Sequence, residues 1–423
     1  VNSADVIMLN YVGQSAISAV SLAASYSNIL FMVYYGLGTG ASLLCAQYFG
    51  QNNLQAIHAI EGIALRFSIA ISGVVALIAF TMPNRMMLIF TSDPELISIG
   101  SSYLRIMGIT YLCWGVTEVY LAILRSIGRV TISMALNMLA FVLNIILNAV
   151  FIFGLFGLPK LGAAGVAIAT TISNMVSTVM VISCLHRKRD EFRFEFHKMR
   201  IEWKDLKRVL MIGIPAGIQG AIFSVSNVFI QSGINSFGED AIAGSSLALN
   251  FEYFTYDIAN AFAQAAVTFT SQNFGAGNLK RCKKIFWLCL AFGFGFTEIL
   301  SIIFMIWDDF FVSIYTVSEA VAVYGLIRMH HVCSLEGLTA TYEVESAALR
   351  GMDKSLEPSI ITILGTVVFR LIWLVTVFRM FPTYGMLMNV YVVSWILTGG
   401  AIFVVYVLYM RKLERQIQWK PSK

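Results

Sequence analysis

One densely charged stretch separates two long apolar halves of this chain. Residues 187–208 carry 14 charged side chains in 22 positions, nine basic and five acidic, whereas only 13% of the whole sequence is charged. Apolar runs of about 18 residues or more recur on both sides, and a water-soluble domain has no means of burying so many of them. We therefore interpret residues 187–208 as a hydrophilic linker between two membrane-embedded halves rather than as a surface helix of a soluble protein.

The composition agrees with a polytopic membrane protein. Hydrophobic residues make up 58% of the sequence and the mean hydropathy is +0.75, whereas soluble domains are about 45–50% apolar. The six cysteines have no CxxC spacing, so we interpret them as small core residues and predict neither a disulfide nor a metal site. The net charge of +5 does not indicate nucleic-acid binding, because the basic residues concentrate at the ends of apolar segments.

Short polar segments divide the chain into twelve predicted membrane spans. The opening residues, 1–12, are too few to cross a bilayer, which takes about 20 helical residues, so we expect the first span to be truncated at its start. Gly, Pro, Asn and Arg mark the turns between the spans. The other eleven spans are predicted at about 17–47, 57–82, 97–124, 131–155, 163–185, 209–236, 241–272, 284–307, 319–349, 359–380 and 385–410.

The distribution of basic residues predicts that both termini are cytoplasmic. With the amino terminus inside, 22 of the 29 Lys and Arg residues fall in cytoplasmic segments, and only Arg85, Lys160 and Arg379 fall outside. Such an excess of basic residues is typical of the cytoplasmic side. The remaining four, Arg66, Arg105, Arg328 and Arg370, lie within or near spans.

The two halves also resemble each other in sequence. A shift of 225 positions lays residues 13–56 over 238–281 with 12 identities in 44, and lays 118–125 over 343–350 with Glu, Val, Ala, Leu and Arg identical. Matching Gln, Asn, Glu and Arg at one offset indicates duplication. Because each half has an even number of spans, the repeats should be related by a pseudo-two-fold axis along the membrane normal.

Six motifs are similar to those of the multidrug and toxic compound extrusion (MATE) family. They are GLGTGASLLCAQYFGQNN (36–53), LNIILNAVFIFG (143–154), LGAAGVAIATTISN (161–174), GIPAGIQG (213–220), QAAVTFTSQNFGAGN (264–278) and ALRGMDKS (348–355). The resemblance covers essentially the whole chain in the right order. It implies an all-α polytopic membrane protein with twelve transmembrane helices in two six-helix repeat lobes. It also implies export of organic cations in exchange for Na⁺ or H⁺.

The resemblance leads us to expect an ion-coupling site in the first half. Asn144 and Asn148 lie on one face of the fifth span, in a polar stripe that begins at Asn137. In the family, the position of Asn148 is often Asp, and with Asn144 and the first-span acid at Asp5 it forms an ion or proton site. We predict that Asp5 has these two amides as neighbours, with the hydroxyl of Thr170 beyond them. The site would hold H⁺ or Na⁺; helix–helix hydrogen bonding is the structural alternative.

In the second half the seventh span has no acid. Any carboxyl function there must come from residues of the eighth or tenth span, and the candidates are Glu252, Asp257, Glu336 and Glu343. Acids are costly at bilayer depth and generally face a cavity or a partner. Glu118 and Glu343 are related by the repeat, and each either holds its helix end against a cytoplasmic basic cluster or lines the cleft. We favour the structural role.

These observations favour a secondary antiporter. No Walker motif, HExxH or GxSxG is present, so neither an ATP-driven pump nor a membrane enzyme is predicted. A flippase of lipid-linked substrates is the alternative; it would need a cationic cavity, whereas the intramembrane residues show an excess of acids. We expect a monomer in the cell membrane, without a cofactor, that contacts lipids and small organic cations. The predicted domains are 1–186, 187–208 (linker), 209–410 and 411–423 (cytoplasmic tail).

Overall fold

The computed structural model describes Met8 and residues 14–157, 159–187 and 203–418. Within these ranges the chain is helical and has no β-strand. Asp5, most of the predicted linker and the end of the predicted tail lie outside the described residues. The chain divides into two compact units, Val1–Ile214 and Pro215–Lys423.

Five long helices and the start of a sixth form the described part of the first unit. Helices α1 and α2 are joined by a short turn, and α3 packs against both of them. Helix α5 packs on α3 and α4. The helices are α1 (Gln14–Gly50), α2 (Leu54–Thr81), α3 (Pro94–Ser126), α4 (Val130–Phe153), α5 (Ala163–Arg187) and α6 (Trp203–Asn235), which continues into the second unit.

The second unit repeats this arrangement. Helix α7 packs against α8, α9 and α10, and α12 packs against α9 and α10. Helix α11 contains a π-helical turn at Ile363–Val368. The helices are α7 (Glu239–Gly275), α8 (Leu279–Ile306), α9 (Glu319–Val332), α10 (Gly337–Gly351), α11 (Leu356–Met380) and α12 (Tyr384–Gln418).

Nine helices of the described chain are long and apolar enough to cross a membrane. Two further predicted spans correspond to α7, which carries Glu252 and Asp257, and to the α9–α10 pair. The first predicted span lies almost entirely outside the described residues. Many large apolar side chains are exposed, such as Leu77 and Val228 at 64% and 68%, as lipid-facing side chains are. The chain is a multi-pass membrane protein with the predicted all-α fold.

The internal duplication is visible in the helix bounds. Helices α1, α2 and α3 begin and end 225 positions before α7, α8 and the α9–α10 pair. The turns repeat as well. Asn53 and Asn278 both cap the helix that follows by accepting a backbone N–H bond of 3.1 Å. The preceding residues, Asn52 and Gly277, are both left-handed, with φ of 55° and 73°.

One predicted span is interrupted. Residues 319–349 were expected to form one helix, but α9 ends at Val332 and a 3₁₀ turn, Cys333–Leu335, separates it from α10. Its counterpart α3 is continuous over the same length. The interruption places Glu336 at the junction before α10, so the prediction of one continuous helix over residues 319–349 was wrong.

Glycines of the first motif allow close helix packing. A Cβ added at Gly40 would overlap the carbonyl oxygen of Val209 on α6, and one added at Gly213 would lie 2.5 Å from the carbonyl oxygen of Gly36. The backbones of α1 and α6 therefore touch where both helices have glycine, a common device in membrane helix packing.

Candidate functional site

Each unit contains a polar cavity among its own helices. The first lies between α1, α3, α4 and α5 and has a volume of about 550 Å³. The second lies between α7, α9 to α12 and the part of α6 in the second unit, with a volume of about 350 Å³. Both volumes fall in the range of small-molecule sites, about 300–1,000 Å³.

Two of the predicted residues, Asn144 and Thr170, line the first cavity, and Asn148 contacts Asn144. Asn148 donates a hydrogen bond of 3.1 Å to the amide oxygen of Asn144, and Asn144 donates one of 3.1 Å to the hydroxyl of Thr170. Both asparagines are fully buried. Asn137, seven residues before Asn144, lines the same cavity. Asn144, Asn148 and Thr170 are therefore neighbours in the structure, whereas Asp5 lies outside the described residues, and their role in ion coupling stays a prediction.

Glu118 also lines the first cavity, and its carboxylate accepts a hydrogen bond of 3.2 Å from the indole N–H of Trp114. Arg125, the nearest basic residue on the same helix, donates to the hydroxyl of Ser133 instead. The described residues show no salt bridge between Glu118 and Arg125, although the two charges lie close enough to interact, so the choice between the structural and the cleft-lining role stays a prediction. Glu118 is the single acid among the lining residues that the structure describes, and none of these residues is basic.

Aromatic rings form much of the wall around Glu118. Phe31 stacks on Trp114 with ring centroids 6.0 Å apart, and Tyr34 meets Trp114 edge-on at 5.8 Å. Tyr103 and Phe141 also line the cavity. A carboxylate among aromatic faces is suited to an amphipathic cation, because both the charge and the ring quadrupoles attract it.

The second cavity contains four charged residues instead of one. Glu252 accepts two hydrogen bonds from Arg328, from Nε at 2.6 Å and from Nη2 at 2.8 Å, and Nη1 of Arg328 donates to Ser245 at 2.7 Å. Glu336 and Arg370 line the same cavity. The predicted acidic excess is therefore absent from this cavity as the structure describes it, because two arginines balance the two acids.

The four second-half candidates do not form one site. Glu252 and Glu336 line the cavity, whereas Asp257 is exposed on α7. Glu343 accepts a hydrogen bond of 3.2 Å from the hydroxyl of Tyr256, which itself lines the cavity. Among these four acids, only Glu252 forms a salt bridge in the described residues. The four carboxyl groups therefore have different partners.

The repeat relates this charged cluster to neutral residues in the first unit. At the offset of 225 positions, Glu252, Arg328 and Glu336 correspond to Ser27, Tyr103 and Tyr111. Ser27 and Tyr111 share a hydrogen bond of 3.2 Å. The two units thus use the same positions, but only the second places buried charges there.

Sequence reasoning placed both arginines of this cluster within or near spans but did not identify their shared contact with one aromatic ring. Arg328 and Arg370 both contact the face of Tyr391, with Cζ at 5.2 Å and 4.6 Å from the ring centroid. Two arginines within predicted spans were a visible signal, because intramembrane charges usually mark functional positions. No group of three or more His, Cys, Asp or Glu side chains could hold a metal ion in the part of the chain that the structure describes.

The comparisons with known proteins agree with this architecture. The sequence matches the profile of the MatE family over residues 1–150 and 215–376. It is 24% identical over 357 residues to the probable multidrug resistance protein YoeA of Bacillus subtilis, covering 84% of this chain and 77% of that protein. It is also 24% identical over 360 residues to the probable multidrug resistance protein NorM of Thermotoga maritima, covering 85% and 77%.

Solved structures show the same fold. An outward-facing multidrug resistance MATE family transporter of the MOP superfamily superposes with a TM-score of 0.90 and 20% identity. A MOP superfamily transporter from Pyrococcus furiosus, whose binding pocket is described as having reverse polarity that suggests a different function, superposes with a TM-score of 0.89 and 20% identity. Each match covers 98% of this chain and 92% of the other.

Proposed function

The chain belongs to the MatE family of transporters, and from that premise we propose that it is a secondary antiporter that exports amphipathic organic compounds, mostly cations. The coupling ion would be H⁺ or Na⁺. The two relatives named above carry multidrug resistance in their names, and this supports small-molecule efflux as the general function. The cationic substrate class rests on the first cavity.

The observation that carries the proposal is the setting of Glu118. Its carboxylate lies in a cavity of about 550 Å³ with Trp114, Phe31 and Phe141 among the lining residues. A cationic amphipath would place its charge near the carboxylate and its apolar body against the rings. A flippase for lipid-linked pyrophosphate would instead need basic groups, and the described lining of this cavity offers none.

The ion-coupling site is proposed at Asn144, Asn148 and Thr170, with Asp5 as the carboxylate. The three described residues already contact one another through side-chain oxygens and amides. Hard cations such as Na⁺ prefer oxygen ligands, as Ca²⁺ and Mg²⁺ do, and a carboxylate could carry H⁺ instead. We propose that Asp5 binds the coupling ion in one half of the cycle and releases it when the substrate cation is bound, because one negative charge does not hold both.

Uptake into proteoliposomes shows whether H⁺ or Na⁺ is the coupling ion. Ethidium uptake should be driven by a pH gradient or by a Na⁺ gradient, and the gradient that drives it identifies the ion. Asp5→Asn should reduce gradient-driven uptake to background while the protein remains folded. Undiminished uptake in that variant would contradict coupling at Asp5 and leave the second unit as the alternative.

The role of Glu118 needs its own variant and a matched control. Glu118→Gln should lower ethidium efflux about 10-fold or more, since hydrogen bonds and contacts to a charged group contribute roughly 1.5–3 kcal/mol. Glu95→Gln makes the same change at an exposed position of the same helix and should leave efflux unchanged. Equal efflux in both variants would contradict a cation site at Glu118.

A further inference from the structure

A surface pocket of about 330 Å³ lies at the end of α12, away from the two cavities described above. We call it the α12 basic pocket. The apolar run of α12 ends at Met410 and basic residues begin at Arg411, so the pocket lies where a membrane-spanning helix reaches the polar headgroup region. All of its described lining residues are exposed: Leu408, Arg411, Lys412, Arg415 and Gln416.

The positive charge of this pocket is not neutralised within the described chain. Glu414, the acid in the same two turns of α12, forms an ion pair with Lys283 of α8 instead. The two helices adjoin here, since Phe286 of α8 stacks on Tyr406 of α12 with ring centroids 3.8 Å apart. None of the three basic lining residues forms a salt bridge in the part of the chain that the structure describes. Their charge is therefore available to an external anion.

The neighbouring start of α8 adds to this charge. Four of its first six residues are basic and none is acidic: Lys280, Arg281, Lys283 and Lys284. Apart from Lys283, these side chains are exposed and form no salt bridge with a described residue. Clusters of about four to eight basic residues next to a membrane span attract anionic lipids. The ends of α8 and α12 together form such a cluster.

The internal duplication shows that the fold does not require these charges. At the offset of 225 positions, the four basic residues of α8 correspond to one histidine and three uncharged residues at the start of α2: Gln55, Ala56, His58 and Ala59. The turns before α2 and α8 are otherwise alike in their asparagine caps and left-handed residues. The first unit forms the same turn without the basic residues, so their presence in the second unit points to a ligand rather than to folding.

An apolar stripe leads from the membrane interior into the pocket. Val404, Leu408, Arg411 and Arg415 lie within roughly 60° of one another around α12 and span roughly 16 Å along it. Val404 and Leu408 are both more than half exposed, at 55% and 59%. A ligand along this stripe therefore meets apolar side chains in the hydrocarbon region and basic side chains at the membrane surface.

We propose that the α12 basic pocket binds an anionic phospholipid, with its phosphate on Arg411, Lys412 and Arg415 and an acyl chain along Leu408 and Val404. Guanidinium groups match phosphate oxygens in bidentate geometry. A free phosphate would gain nothing from the apolar stripe, and an acidic protein would not extend into the hydrocarbon region. The site goes beyond the proposed export function, because lipid binding involves neither the substrate nor the coupling ion and is measured without transport.

Lipid titration of the delipidated full-length protein in detergent provides the first test, with bound lipids counted by native mass spectrometry. The probes are dioleoyl phosphatidylglycerol and dioleoyl phosphatidylcholine, which share their acyl chains and differ in net charge. Phosphatidylglycerol should bind about 10- to 100-fold more tightly at its strongest site, as three basic residues at a membrane surface predict. Equal affinities would overturn the proposal.

A charge-matched pair of variants then assigns the binding to α12. Replacing Arg411, Lys412 and Arg415 by Gln should lower the affinity of the strongest phosphatidylglycerol site about 10-fold or more. The control replaces Arg85, Lys160 and Arg379 by Gln, which removes the same charge from exposed positions elsewhere, and should leave that affinity unchanged. Equal losses in the two triple variants would overturn the assignment.

Two further measurements separate a lipid from a free phosphate. Leu408→Ser should lower phosphatidylglycerol affinity about 3-fold or more, because it removes apolar contact area, whereas Leu77→Ser at a similarly exposed position of α2 should not. The soluble headgroup glycerophosphoglycerol should fail to displace the lipid even in large molar excess. Full displacement at a concentration equal to that of the lipid, with no effect of Leu408→Ser, would overturn a lipid site.

Photolabelling of the wild-type protein tests the location even if the triple variant does not fold. Phosphatidylglycerol with a diazirine in its acyl chain should label peptides that contain Val404 or Leu408. Excess unlabelled phosphatidylglycerol should prevent this labelling, and excess phosphatidylcholine should not. Labelling confined to other helices, or equal protection by both lipids, would overturn the site.

Discussion

The carboxylate of Glu252 and the guanidinium of Arg328 form a bidentate pair in the interior of the second unit, with N–O distances of 2.6 and 2.8 Å. Arg328 is 1% exposed and Glu252 is 9% exposed. A carboxylate engaged in this way is held by a fixed positive charge. Glu252 is therefore a weaker candidate for a coupling acid than the sequence indicated, because a coupling ion would have to compete with Arg328.

Removing one charge of this pair should lower the free energy of unfolding more than removing both charges. Glu252→Gln leaves Arg328 as an uncompensated buried cation and should lower the free energy of unfolding by about 3–5 kcal/mol. The double variant Glu252→Leu and Arg328→Met removes both charges and should recover at least half of that loss. Thermal unfolding of the purified proteins in one detergent measures both values. A double variant less stable than Glu252→Gln would contradict the argument.

The sequence and the family resemblance predicted the polar cluster of the first cavity and missed the long-range ion pair of the second. Asn144 and Asn148 were placed on one helix face because a helical period needs only the spacing of residues within one span. The pairing of Glu252 with Arg328 joins residues 76 positions apart. Several arginines in or near spans were available as partners, so spacing alone did not identify the pair.

The interruption of the tenth predicted span is a second feature that the sequence pattern did not predict. No proline marks the 3₁₀ turn at Cys333–Leu335, and the sequence pattern predicted one span there although polar residues and Gly337 surround the turn. Glu118 was assigned to the helix end because its sequence distance from Arg125 suggested a contact. The hydrogen bond from Trp114 joins residues four apart on α3, which the helical period also allows, and the sequence alone does not decide between these two neighbours.

The contact between α1 and α6 depends on the absence of side chains. Gly40→Ala should destabilise the first unit by about 1–3 kcal/mol, because the added methyl group would overlap the carbonyl oxygen of Val209. Gly73→Ala is the control within a helix, since nothing lies within 4 Å of the added atom. It should be neutral or stabilising by about 1 kcal/mol through helix propensity. Equal changes in unfolding temperature would contradict close packing at Gly40.

The internal duplication predicts which substitutions are tolerated at the equivalent turns around Asn52 and Gly277. Gly277 has a left-handed φ of 73°, and its counterpart Asn52 adopts φ of 55° with a side chain present. Gly277→Asn should therefore cost at most about 1 kcal/mol, because asparagine visits this region readily, whereas Gly277→Val should cost about 1–2 kcal/mol more. Unfolding temperatures of the two variants provide the comparison. If Gly277→Asn lowers the unfolding temperature as much as Gly277→Val does, the two turns are not equivalent.

The asparagine cluster of the first cavity can be tested for ion binding apart from stability. Asn144 both accepts from Asn148 and donates to Thr170, so Asn144→Ala removes two hydrogen bonds and should cost about 1–2 kcal/mol in a membrane protein. Asn137→Ala changes an exposed residue of the same stripe and should cost little.

Stabilisation by Na⁺ should distinguish Asn144→Ala from Asn137→Ala. If Na⁺ binds the cluster in the folded protein only, replacing choline by Na⁺ at 100 times the dissociation constant should stabilise the wild type by about 2.7 kcal/mol. Asn137→Ala should keep this response, since its side chain is not part of the Asn144–Asn148–Thr170 network. Asn144→Ala should lose it. A response to Na⁺ that survives in Asn144→Ala would place the ion elsewhere, and the two hydrogen bonds of Asn144 would then serve helix packing alone.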